Sequence, residues 1–164
     1  MLCKRFWLVG LLLSVLFPAV RAQIPLGPTV NIGPVTAGCT DPLGNTVLNY
    51  VSPTPLGAQA VALYGRPAII LNVAVLSTFP TQFQVFTYIH ECGHHFNGDV
   101  LGMYGHMSEF NADCYAAKIT RNFGWLNPAD FGVAMSVLKT FLPDATHPPG
   151  PARVANAENC YNTP

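Results

Sequence analysis

The sequence predicts an α+β domain. Three observations carry that expectation: two runs of strand-like composition around residues 58–76, a histidine-rich stretch with helical spacing at 86–97, and two later segments with helix start and stop residues. About 142 residues remain once an N-terminal leader is set aside, the size of one domain.

The leader comes first. Lys4 and Arg5 precede an apolar run from Phe6 to Phe17, Pro18 breaks it, and the small residues of "AVRA" follow. This is the pattern of a secretory signal over residues 1–22, cleaved after Ala22. The run of about 12 residues is short of the roughly 20 that a spanning helix needs. Five basic residues then face eight acidic ones, a net charge of about −3. No basic patch is left for nucleic acid, and no later segment is apolar and long enough to span a membrane. The expected location is exported, periplasmic or extracellular. Four cysteines remain, Cys39, Cys92, Cys114 and Cys160, an even number that fits two disulfides.

Residues 23–57 are rich in Pro and Gly, and only "TVLNYVS" looks like a strand. This stretch reads as an irregular cover, or a removable prosegment, ahead of a main domain at 58–164. "AQAVALYG" and "PAIILNVAVL" read as a hairpin joined at "GRP". Thr78 is a candidate N-cap of a helix that has Pro80 in its first turn, runs to about Asn97 and stops at Gly98. Ser108 reads as the N-cap of a second helix, "EFNADCYAAKITRNF", ended by Gly124. Asn127-Pro128 opens a third that reaches about Phe141. The tail is Pro-rich, with one short helical turn after it.

The first helix carries the chemistry. His90, Glu91 and His94 spell H-E-x-x-H. On a helix the two histidines lie one turn apart on one face, so both can bind one Zn²⁺. Glu91 lies beside them, placed to act as general base on water activated by the metal. A catalytic zinc needs a third protein ligand and an open position. Asp99, His106 and Glu109 are candidates. Glu109 is favoured, because a loop of about ten residues can bring the second helix back against the first. Asp113, one turn further on, can then accept a ring N–H from His90 or His94. Cys92 is about 200° around the helix from His90, which argues against a Cys/His site. Cys92 and Cys114 sit on two helices that must pack, so the expected disulfides are Cys92–Cys114 and Cys39–Cys160.

"HECGHH" followed by "EFNADCYAAK" resembles the H-E-x-x-H and E-x-x-A-D pair of gluzincin zinc peptidases, the CAAX prenyl endopeptidase family and small bacterial neutral zinc metallopeptidases above all. "THPPGPAR" resembles a segment that follows the helices in the prenyl endopeptidases, and "AIILNVAVL" stands where they have an edge strand. The resemblance spans about Ala68 to Arg153. It implies a small zincin-like domain, with a short antiparallel hairpin or sheet packed on an active-site helix, a Glu-ligand helix and a third helix. It implies one Zn²⁺ held by His90, His94 and Glu109, Glu91 as catalytic base, and Asp113 behind the ligands. It also implies His147 as a catalytic group at the oxyanion, with Arg153 supporting its segment. A peptide or protein substrate would add as a strand along Ile69 to Val75. The transmembrane helices of the prenyl endopeptidases are missing, so a prenylated membrane substrate does not carry over. The competing expectation is an inactive domain of this kind, with structural zinc, that binds a peptide or partner. A peptide deformylase is disfavoured, because Gly38-Cys39 lacks the neighbours which that family's cysteine ligand requires.

Overall fold

The computed structural model describes residues 23–53, 57–101 and 105–163; the expected signal at 1–22 lies outside them. The fold is α+β, with a small mixed sheet packed on helices. The hairpin forms as strands β5 (Ala58–Leu63) and β6 (Arg66–Leu71). They pair antiparallel, with Leu63 opposite Arg66. The connection is therefore Tyr64-Gly65 and not "GRP". Both residues have positive φ, 51° and 75°, as a two-residue hairpin turn that follows strand twist requires.

The N-terminal segment is more regular than its composition implies. It holds β1 (Ile24–Gly27), β2 (Val30–Ile32), β3 (Val35–Ala37) and β4 (Leu48–Val51). β4 falls in "TVLNYVS" and pairs in parallel with β6, giving the order β1-β4-β6-β5. This corrects the expectation for Ile69 to Val75. Its first part is an inner strand bonded on both sides, and the free edge nearest the helices belongs to β5. Its second part is not a strand. Asn72 accepts from the Val75 N–H and caps a short helix, α1 (Val73–Leu76).

Helix α2 (Thr81–Phe96) starts after Pro80 and not at Thr78, whose hydroxyl instead donates to the Val75 carbonyl. Eleven of its residues are buried, among them Val85, Phe86, Tyr88 and Ile89. A helix buried on nearly every face is a central element, and α2 lies between the sheet and the other long helices. Gly98, at φ 77°, ends it as expected. Helix α3 (His106–Asn122) begins earlier than Ser108. Ser108 lies in its first turn and accepts from the Gly105 N–H. Asn127 caps α4 (Pro128–Leu138) by accepting from Ala129 and Asp130. The tail departs most from expectation: Gly150–Asn162 is a full helix, α5, with Arg153, Ala157, Cys160 and Tyr161 buried.

The disulfides are Cys39–Cys92 and Cys114–Cys160, not the pairs expected. The reason is helix phase. α2 meets α3 through Gly93 and Ala112, where an added Cβ on Gly93 would lie 2.9 Å from the Ala112 Cα. Cys114 is two residues from Ala112, about 200° around its helix, so it faces α5. Cys92 faces the N-terminal segment and fastens it to the central helix.

Candidate metal centre

α2 brings His90 and His94 to one face, and the close approach of α3 sets Glu109 opposite them. All three are buried, at 5 %, 3 % and 2 % exposure. His90 Nε2 lies 3.1 Å from His94 Nε2 and 3.4 Å from Glu109 Oε2; His94 Nε2 lies 3.3 Å from Glu109 Oε1. Around a small tetrahedral ion with bonds near 2.0–2.1 Å, ligand atoms stand about 3.3 Å apart. Glu109 Oε2 is buried without a hydrogen bond of its own, although Arg153 Nη1 is 3.3 Å away. These residues can hold a metal ion.

Each histidine has its other ring nitrogen on a carboxylate, the arrangement that fixes tautomer and ring orientation for a ligand. His90 Nδ1 is 2.9 Å from Asp113, and His94 Nδ1 is 3.1 Å from Asp99. Asp99 was readable as a candidate ligand; it instead backs His94 from the 3₁₀ turn Asp99–Leu101. Asp113 is fully buried and takes two bonds from Arg153, at 2.8 Å from Nε and 2.7 Å from Nη2. His106, the other candidate, is not part of the cluster. His95 faces the sheet, with Nε2 2.8 Å from the Ala68 carbonyl oxygen.

The electrostatics favour a cation. Four carboxylates, Glu91, Asp99, Glu109 and Asp113, surround one guanidinium and two imidazoles. Burial alone would lower the His90 pKa, but the Asp113 and Glu109 carboxylates outweigh it and push it up to about 10. Burial would raise the Glu109 pKa; the His90 and His94 rings that face its two oxygens hold it well below the usual carboxylate range. Burial acts on Asp113 in the same way, and Arg153 and His90 hold it down. For Arg153, burial would lower the pKa and the Asp113 contact raises it. Metal ions bind such a site in competition with protons.

Glu91 and His90 open on one cleft of about 360 Å³, which His147 and Arg153 also line. Its walls are mostly apolar, from Phe79, Phe83, Phe86, Leu138 and Phe141. His147 Nε2 approaches Glu109 Oε1 to 3.8 Å. Its ring is steered by Asp144, which takes Nδ1 at 2.9 Å and also accepts from the Thr146 and His147 backbone N–H groups. The D-x-x-H spacing was the available signal for Asp144. A further partner carried no signal: the Ala60 backbone N–H donates to Glu91 Oε2 at 2.7 Å.

The class defined by fold and site is therefore a disulfide-bonded α+β domain whose two packed helices present a buried His/His/Glu group able to bind a metal ion. Among the described residues no helix is long and apolar enough to cross a membrane, and the two disulfides fit an oxidising environment. No protein family matches this sequence, and neither a curated protein nor a solved structure matches the chain.

Proposed function

We propose that the protein is an exported zinc metallopeptidase of the gluzincin kind. The observation that carries this is the convergence of His90, His94 and Glu109 to 3.1–3.4 Å beside the same cleft that Glu91 lines. Two imidazoles and one carboxylate are the nitrogen and oxygen donors zinc favours, and three protein ligands are the number a catalytic zinc uses. When bound, the ion supplies Lewis acidity toward water and toward a carbonyl oxygen.

The chain's own groups do the rest. Glu91 takes the proton from the attacking water and returns it to the leaving amine. His147, held by Asp144, offers Nε2–H to the oxygen on which charge develops. Asp113 and Asp99 keep the two histidines in ligand orientation, and Arg153 offsets the carboxylates. An extended peptide pairs with the outer edge of β5, and an apolar side chain enters the pocket of Phe79, Phe83, Phe86 and Phe141. The substrate is thus a peptide or protein segment with an apolar residue next to the cleaved bond. The test is a quenched-fluorescence peptide library, run on protein stripped by chelator and on protein given one equivalent of zinc. Cleavage restored by zinc, with apolar residues enriched beside the cut, is expected. Tight zinc binding without cleavage would replace this reading by a partner-binding domain with structural zinc.

A further inference from the structure

β5 is the outermost strand of its sheet. In an antiparallel ladder, a residue either bonds to its partner strand with both backbone groups or turns both outward. Ala60 turns its N–H outward, onto Glu91 of α2. The bond is short, joins residues 31 apart and is shielded from water, with Ala60 3 % and Glu91 9 % exposed. A glutamate's terminal torsion is broad and loosely held. A bond to one oxygen removes that freedom, in a glutamate that lines the cleft.

We infer that the Ala60 backbone N–H is a positioning group for the base, clamping Glu91 by Oε2 so that Oε1 meets water in the cleft. This rests on the peptidase reading of Glu91. It also sets the substrate's register. The outer edge of β5 is the edge a peptide would join, and the base occupies it at Ala60, so the cleaved bond lies against Ala60 and not elsewhere along the strand.

Three variants separate the N–H from the side chain. Ala60→Gly keeps the N–H. Ala60→Pro removes it without loss of a ladder bond, since an outward N–H on an edge strand is where proline is tolerated. Lactic acid incorporated at position 60 replaces the amide by an ester and removes the N–H without a proline ring. With zinc-loaded protein, kcat of the other two forms is read against Ala60→Gly, which retains the bond donor. The proline and ester forms should lose roughly ten- to a hundredfold in kcat, the scale of a misplaced reacting group. KM and zinc affinity should change by less than about threefold. An ester form with wild-type kcat, or a loss confined to KM, overturns the inference. A second readout needs no activity. In metal-free protein the Ala60 amide proton should resonate downfield and move upfield in Glu91→Ala, and no movement overturns the clamp whatever the kinetics. A zinc-loaded wild type that cleaves no peptide sinks the peptidase reading, and the role of Ala60 with it, even where the amide shift reveals the bond.

Discussion

Gly93→Ala tests how Glu109 reaches the two histidines. The added Cβ would lie 2.9 Å from the Ala112 Cα, 3.1 Å from the Ala112 carbonyl oxygen and 3.2 Å from the Tyr115 Cβ. Carbon atoms rest at about 3.5–4.0 Å, and the two nearest atoms are backbone. α3 must therefore retreat by about 0.6 Å or more. Glu109 precedes Ala112 by one turn and moves with it, so its gaps of 3.3 and 3.4 Å to the histidines widen toward about 4 Å. Ligand bonds hold to within about 0.2 Å. Overpacking costs roughly 1–3 kcal/mol, offset by about 0.5–1 kcal/mol because alanine favours a helix over glycine. Zinc affinity should fall at least about tenfold, a loss of about 1.4 kcal/mol, measured by competition with a chromogenic chelator. Gly132→Ala in α4, where nothing lies within 4 Å of the new Cβ, is the matched control and should be neutral or slightly stabilising. A Gly93→Ala protein with wild-type zinc affinity and melting temperature would refute the close approach as what places Glu109.

Asp113→Ala removes both bonds that Arg153 makes to that carboxylate and leaves the buried guanidinium with Glu109 as its remaining carboxylate contact; breaking such a buried pair costs roughly 3–5 kcal/mol, and a melting temperature lower by roughly 10 °C is expected by calorimetry. Non-reducing peptide mapping should recover Cys39–Cys92 and Cys114–Cys160. Replacing Cys39 and Cys92 by alanine opens a link across 53 residues, a loss of about 4 kcal/mol on chain entropy, read as a fall in the urea midpoint. The metal-free protein should have a stability plateau in pH. Asp113, with its pKa lowered, contributes stability above about pH 4 that is lost as pH falls. His90, raised to about 10, contributes stability that is full below about pH 6.5 and lost as pH rises toward 10. Thermal melts should therefore peak between about pH 4 and 6.5, and zinc should remove the alkaline fall. A metal-free melting temperature that rises from pH 7 to 9 would contradict this.

The local half of the site was legible. His90 and His94 share a face because a helix repeats every 3.6 residues, and Glu109 and Asp113 share one for the same reason. Asn127-Pro128 announced α4 through cap chemistry alone. What escaped the sequence depends on contacts between distant segments. The parallel pairing of β4 with β6 has no local signature, so an inner strand passed for an edge. Four cysteines allow three pairings, and the choice turned on the Gly93–Ala112 contact that rotates Cys92 and Cys114 apart. α5 hid behind its own start: Pro148, Pro149 and Pro151 read as a loop, although Arg153, Ala157, Cys160 and Tyr161 follow at helical spacing. The Ala60 N–H on Glu91 is a backbone group, and no residue type at position 60 could have announced it.

The most direct measurement compares wild type with Glu91→Gln, in zinc content and in peptide cleavage on one sample of each. If His90, His94 and Glu109 hold the ion and Glu91 serves as the base, both proteins carry one zinc and only the wild type cleaves, with kcat in the variant lower by at least about a hundredfold. A Glu91→Gln protein that holds zinc and cleaves at the wild-type rate would contradict the assignment of the base. Zinc retained after His94→Ala and Glu109→Ala would contradict the assignment of the ligands.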